Sequence, residues 1–167
     1  MGVINAYDIA SSSENVVALA IGLEDYTADI GAERTKDGRE SYFARAKLVN
    51  AARAAGIQPI DTVFSDVDDD EGLRESTEEA KSLGFVGKGC IHPRQISIIH
   101  DVLVPTDEEI EKAKKIVNAF REAEEKGLSV VSLGSKMIDP PVVKRARNTV
   151  ELAIRTGKLE ENWRENE

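Results

Sequence analysis

Six consecutive apolar residues, Val16-Val17-Ala18-Leu19-Ala20-Ile21, run directly into Gly22. A strand with one wet face alternates apolar and polar side chains. An unbroken run suits a strand buried on both faces of a parallel sheet. Parallel neighbours require crossover connections, and helical segments stand where the crossovers belong. Asp37 and Glu40 have the spacing of a capping box, with Asp in the place of Ser or Thr. They open a stripe of Phe43, Ala44, Leu48, Ala51, Ala52 and Ala55 that stops at Gly56. Ile60-Asp61-Thr62-Val63-Phe64 is the second expected strand. The acidic residues 66–71 then lead into a helix with Leu73, Thr77, Ala80 and Leu83 on one face, closed by Gly84. Residues 85–91, interrupted by glycines, form the third expected strand. Strand, helix, strand, helix, strand is the order of right-handed βαβ units.

The remainder reads as helical. A short helix is expected over 96–102. Thr106 and Glu109 form a second capping box after Pro105, opening a helix with Ile110, Ala113, Val117 and Phe120 that ends by Gly127. Residues 130–133 suit a short extended piece. A last helix over 141–156 carries Val142, Ala146, Val150 and Ile154 on one face, followed by a polar tail in which Trp163 is able to dock. The expected division is an α/β part over 1–104, a helical extension over 105–160 and a polar tail over 161–167. Three strands do not close a barrel, which takes about 250 residues, and a free three-stranded sheet leaves two edges unpaired. Partner strands from another chain are the favoured expectation over a compact open sheet.

Composition narrows the function. The net charge of −9 argues against nucleic acid or an anionic membrane as partner, since both need a cationic surface. No apolar run reaches the length of a membrane span, and the first residues lack the basic leader and apolar core of a signal peptide. The one cysteine, Cys90, has no partner for an internal disulfide, and no Cys/His set suggests zinc. A reducing cytoplasm fits. Beside a glycine on an expected buried strand, Cys90 is read as a small core residue.

Several segments share one pattern. They are Ala20-Ile-Gly-Leu-Glu-Asp25-Tyr-Thr-Ala-Asp, Asp61-Thr-Val-Phe-Ser-Asp66 and Ile91-His-Pro-Arg-Gln-Ile96. Phe43-Ala-Arg45 and Ala51-Ala-Arg-Ala-Ala-Gly56 lie among them, and Gly134-Ser-Lys-Met-Ile-Asp139 comes near the end. In order and spacing the chain resembles the citrate lyase β-subunit family of HpcH/HpaI aldolase-like proteins, which includes citramalyl-CoA and malyl-CoA lyases. The resemblance covers nearly all of this chain and about the second half of a family member. It implies part of a (β/α)₈ barrel, strands six to eight, with a C-terminal helical extension. It also implies Mg²⁺ held by a Glu after the fifth strand and an Asp after the sixth. The Asp matches Asp25. The Glu, and a substrate-binding arginine of the early strands, are expected outside this chain, so activity of the chain alone is not expected. Family members assemble as trimers or hexamers, so a homo-oligomer or a separate N-terminal half is the expected partner.

Each candidate has a plainer reading. Asp25 lies just past an apolar strand, at the end where α/β barrels do chemistry. A hard cation such as Mg²⁺ takes one or two protein carboxylates plus water and substrate. By spacing alone a loop Asp capping the next turn is the favoured reading; the resemblance reverses that and favours the metal. Glu24 is the rival ligand but does not align with the motif. Asp139, followed by Pro140 and Pro141, is explained by N-capping; the resemblance adds acid/base work in a neighbouring subunit's site. Gly22 either admits substrate close to its backbone or ends the strand. The resemblance places the loop of Ile91, His92 and Pro93 near the CoA nucleotide, whereas a lone His is more often structural. Asp66 belongs to the acidic turn or to an outer position at the site. Arg34, Lys36 and Arg39 either attract phosphates or form a solvated loop.

The implied reaction is carbon–carbon cleavage of a 3-hydroxyacyl thioester, on CoA or a carrier protein, to an acetyl thioester and a 2-oxo acid. Mg²⁺ would serve as Lewis acid and template. A carboxylate such as Asp139 would move the proton at the thioester methyl, and groups so placed give about 10²–10⁴-fold. Two other readings stand beside the lyase: a non-catalytic half-barrel that binds or assembles, and an ordinary small α/β domain.

Overall fold

The computed structural model describes residues 1–127, 130–133 and 136–164 of the 167-residue chain. The chain divides into two compact units, Met1–Leu103 and Val104–Glu167.

The first unit opens with α1 (Ala6–Ala10) and carries the parallel sheet β1 (Ala18–Ala20), β2 (Gln58–Asp61) and β3 (Gly87–Lys88), paired in that order. Helices α2 (Leu23–Ile30) and α3 (Arg39–Ala54) follow β1, α4 (Asp70–Leu83) follows β2 and α5 (Arg94–Leu103) follows β3. The expected alternation is present, with shorter strands. Ile21, Leu23, Ala44, Leu48, Val49, Ala80 and Phe85 form the core, with Leu19 packed against it. This core is an interleaving of one sheet face with α3 and α4.

The other sheet face departs from the expectation of burial on both sides. On the face away from Leu19, Ala20 is exposed and Ala18 is only partly buried. The third strand runs close against β2 at its glycines. A Cβ on Gly87 would stand 2.8 Å from Ile60 Cδ1, and one on Gly89 would stand 2.9 Å from Val63 Cγ1. Glycines let the backbones approach there but hold the ladder weakly. Cys90, beyond the strand end, is exposed and not a core residue.

Helix α3 differs in detail from its sequence pattern. Its N-cap is Gly38, in the left-handed region at φ 62°, and Asp37 caps nothing. The Asp37–Glu40 box does not form because the Thr35 hydroxyl engages both carboxylates, 2.7 Å from Asp37 Oδ1 and 2.6 Å from Glu40 Oε2. Phe43 is 62% exposed, while Arg45 is buried. Helix α4 starts as its acidic leader suggests. Asp69 is the N-cap, with Oδ1 accepting from the Gly72 N–H at 2.8 Å, and Gly84 closes the helix at φ 99°.

The second unit pairs α6 (Asp107–Glu125) with α7 (Pro140–Arg155). The Thr106–Glu109 capping box is complete. Ala113, Val117, Ala146 and Val150 make a small core that Trp163 closes, so the described part of the tail docks. Between the helices, β4 (Val131–Leu133) pairs antiparallel with β5 (Lys136–Ile138), a strand the sequence pattern does not announce. Gly134 and Ser135 of the quoted motif, and the last three residues of the tail, lie outside the described residues.

Candidate functional site

The C-terminal ends of the three parallel strands converge on residues 62–64, which form a seam. Thr62 Oγ1 accepts from the Leu23 N–H at 3.3 Å, tying the first turn of α2 to the tip of β2. The Val63 carbonyl accepts from Arg34 Nη2 at 3.1 Å, tying in the loop after α2. The Phe64 carbonyl accepts from Gln95 Nε2 at 2.9 Å. Gln95 also accepts from the Ile91 N–H at 2.9 Å through Oε1, so it joins the loop beyond β3 to the same seam. Three successive residues thus each tie in a different segment. Arg94 adds an ion pair to Asp68 at 3.1 Å across the same two loops.

The expected site residues fall on this rim or apart from it. Gly22 is the extended N-cap of α2 and Asp25 lies in its first turn; both are exposed. Asp25 Oδ2 folds back so that a Cβ on Gly22 would stand 3.4 Å from it. The Asp25 carboxylate has no hydrogen bond or ion pair to any described residue. Its neighbour Glu24 is engaged by Arg34 Nη1 in a close ion pair. Ile91, His92 and Pro93 are exposed between β3 and α5. His92 Nδ1 accepts from the Arg94 N–H at 3.3 Å, which leaves Nε2 to carry the proton of the neutral ring. Asp139 belongs to the second unit, where Oδ1 accepts from the Val142 N–H at 3.1 Å as the N-cap of α7. Asp66 is exposed and accepts from the Asp68 N–H at 3.1 Å, a turn within the acidic run.

Beside the seam lies a cleft of about 580 Å³, walled by Leu23, Glu24, Arg34, Arg45, Thr62 and Phe64 among others. The cations once considered for phosphate are each met by a carboxylate. Arg34 pairs with Glu24, Lys36 lies 3.9 Å from Asp69, and Arg39 lies 3.2 Å from Asp37. One Glu40 carboxylate oxygen is buried without a hydrogen-bond partner among the described residues. The Thr35 hydroxyl holds the Glu40 carboxyl below its ordinary range, and does the same for Asp37.

Under the rim sits an ionic core missed by reading the sequence. Asp61, fully buried, accepts from Arg45 Nε and Nη2, both at 3.0 Å, and from Lys88 Nζ at 2.9 Å. Arg45 Nη1 reaches Glu79 at 2.7 Å, and Lys88 Nζ reaches Ser76 Oγ at 3.0 Å. Burial drags the Lys88 ammonium below its ordinary value, although Asp61 opposes the shift. For Arg45, burial acts in the same sense, but Asp61 and Glu79 outweigh it and the net shift is upward. The cluster ties β2 and β3 to α3 and α4, so the strand tips rest on a fixed base. Gln95, within the quoted Ile91–Ile96 motif, was also missed, although a buried amide between two loops is what such a motif can supply.

A lone carboxylate without a protein partner, at a strand tip and beside a glycine, fits one of the one or two carboxylates that Mg²⁺ takes from protein. Among the described residues no three His, Cys, Asp or Glu side chains gather as a complete metal site. No helix among them is long and apolar enough to cross a membrane.

Comparison with known proteins gives a consistent result. Residues 1–93 match the family model described as HpcH/HpaI aldolase/citrate lyase. The chain is 42% identical over 161 residues to citrate lyase subunit beta of Escherichia coli K12, covering 96% of this chain and 53% of that protein. It is 40% identical over 136 residues to mitochondrial citramalyl-CoA lyase of Mus musculus, covering 81% of this chain and 40% of that one. A crystal structure of CitE from Mycobacterium tuberculosis in complex with magnesium, acetoacetate and coenzyme A aligns with a TM-score of 0.79 at 29% identity, covering 91% of this chain and 57% of the other. The chain therefore spans about half the length of the relatives it matches.

Proposed function

This chain belongs to the HpcH/HpaI aldolase/citrate lyase family, and from that premise we propose that it carries one arm of a Mg²⁺-dependent carbon–carbon lyase site. The substrate in this reading is a 3-hydroxyacyl thioester of the citryl or citramalyl type, on CoA or a carrier protein, cleaved to an acetyl thioester and a 2-oxo acid. The observation that carries the reading is Asp25: an exposed carboxylate folded toward Gly22, without a protein partner, at the C-terminal end of the sheet. β1, β2 and β3 take the places of barrel strands six, seven and eight. The remaining strands and the second metal-binding carboxylate come from residues outside this chain, either joined to it or on a separate polypeptide. The exposure of Ala20, on the sheet face away from the core, supports that arrangement.

When bound, Mg²⁺ supplies Lewis-acid polarisation and a template for the oxo-acid half. Asp25 provides it with one oxygen ligand. Gly22 leaves room for substrate beside that carboxylate, and the exposed loop of Ile91, His92 and Pro93, braced by Gln95, receives the nucleotide end of the thioester. In the reaction the bond between the α- and β-carbons breaks, its electron pair passes to the thioester half, the hydroxyl proton is lost, and the α-carbon gains a proton. Asp139 delivers that last proton in a neighbouring subunit's site, which makes a homo-oligomer the working form. Its N-cap bond to Val142 uses one oxygen and leaves the other for this role.

The test is cleavage of citramalyl-CoA and of a citryl thioester by this chain supplied with the preceding half of a family barrel. Turnover that needs Mg²⁺ and falls at least about 10²-fold in Asp25→Asn upholds the reading. Assembly without turnover of any such thioester would instead leave a non-catalytic half-barrel.

A further inference from the structure

The first turn of α2 presents two adjacent carboxylates, Glu24 and Asp25, at the positive end of a helix. By charge and type they are equivalent metal ligands. Their surroundings separate them. Arg34, only 22% exposed, sends Nη1 to Glu24 and Nη2 to the Val63 carbonyl at 3.1 Å. One guanidinium thus spans the α2 turn and the seam at the tip of β2, and a planar fork of donors suits that double contact in a way a lysine would not. Asp25 has no such partner.

We infer that Arg34 is a positioning residue that selects the metal ligand: by engaging Glu24 it holds that carboxylate out of the ion's shell and leaves Asp25 as the single arm contributed by this turn. The inference rests on Asp25 being a metal ligand. Its physical content is a matter of ligand count. Mg²⁺ usually takes only one or two carboxylates and keeps several waters, so a further carboxylate displaces water, raises affinity and offsets part of the charge that polarises the substrate. Arg39 offers a built-in comparison. It pairs with Asp37 at 3.2 Å, so removing its charge changes the chain by the same amount, away from the α2 turn.

The experiment is Mn²⁺ binding, as a stand-in for Mg²⁺, followed by electron paramagnetic resonance on the full chain and five variants, with circular dichroism confirming the fold. Arg34→Gln is expected to tighten binding by roughly threefold to tenfold, because ligand charge count sets the affinity of oxygen sites. Adding Glu24→Gln to it should restore the native affinity. Arg39→Gln should move it by less than about twofold, because a separated exposed charge is screened. Asp25→Asn tests the underlying reading in the same series. If Asp25→Asn abolishes binding but Arg34→Gln changes nothing, the metal reading stands and Arg34's role is overturned. Tightening that survives Glu24→Gln, or that Arg39→Gln reproduces, overturns it too. If the native chain binds no Mn²⁺, the reading of Asp25 as a ligand falls, and Arg34's role, which rests on it, falls with it. Should Arg34→Gln fail to fold, Glu24→Gln alone decides: loss of more than about tenfold in affinity would make Glu24 a ligand and overturn the inference.

Discussion

Arg45 grips Asp61 with two nitrogens, each 3.0 Å from a different carboxylate oxygen, inside a core that admits almost no solvent to either. Lys88 completes the cluster from the neighbouring strand. Removing the anion leaves buried Lys88 without a carboxylate and Arg45 with Glu79 alone, so Asp61→Asn is expected to lower unfolding stability by about 3–5 kcal/mol. Lys88→Met leaves the two-point Arg45 contact in place and removes a costly buried ammonium, so its effect should be much smaller. Urea denaturation of both variants checks the order. Equal losses would show that the cluster does not centre on Asp61.

Gln95 has a different task. With its amide replaced in Gln95→Leu, the Ile91 N–H and the Phe64 carbonyl lose their shared partner. A loss of about 1–3 kcal/mol is expected. Faster hydrogen exchange should follow at residues 89–94 and not in α6 or α7. Unchanged exchange in that loop would contradict the bracing role.

Asp139 separates capping from chemistry. Asn caps helices as well as Asp does, whereas Ala costs about 1 kcal/mol. Asp139→Asn should therefore keep the thermal stability of the chain while stopping turnover in the completed enzyme. Asp139→Ala should lose both. Full turnover in Asp139→Asn would reduce this residue to its cap.

The pH dependence has a definite sign. Asp37 and Glu40 are held below their ordinary values, first of all by the Thr35 hydroxyl. The folded chain then binds fewer protons than the unfolded chain between the two sets of values, so stability rises with pH across that window. The contribution is present above about pH 4, the unfolded range, and is lost as pH falls through the lowered folded values. Asp37 is exposed and Glu40 only partly buried, so the effect is small. Thr35→Val should flatten the acid limb of a stability-versus-pH curve, and an unaltered limb would remove Thr35 as the cause.

Much of this fold is legible in local pattern. The apolar run before Gly22, the capping residues Asp69 and Thr106, and the glycine stop at 84 each act within a few residues, and each element they announce is present. What escaped notice acts over distance. Arg45 and Asp61 are 16 residues apart and Asp61 and Lys88 are 27 apart, so no periodicity links them, and Arg45 looks like any exposed helix cation. The Asp37–Glu40 spacing misleads because Thr35, two residues earlier, competes for both side chains. Cys90 misleads because β3 stops at Lys88, two residues short of it. At the site, Asp25 was marked by the family resemblance and not by its place after a strand, whereas Arg34's choice of Glu24 depends on a loop folding back across the strand tips.

The central claim is that Asp25 holds a divalent ion at the mouth of the sheet. Paramagnetic broadening of backbone amide signals by substoichiometric Mn²⁺ tests it directly. Broadening centred on Gly22, Leu23, Asp25 and Thr62, and absent in Asp25→Asn, is the expected result. Broadening centred on the acidic run 66–71 and indifferent to Asp25→Asn would contradict it.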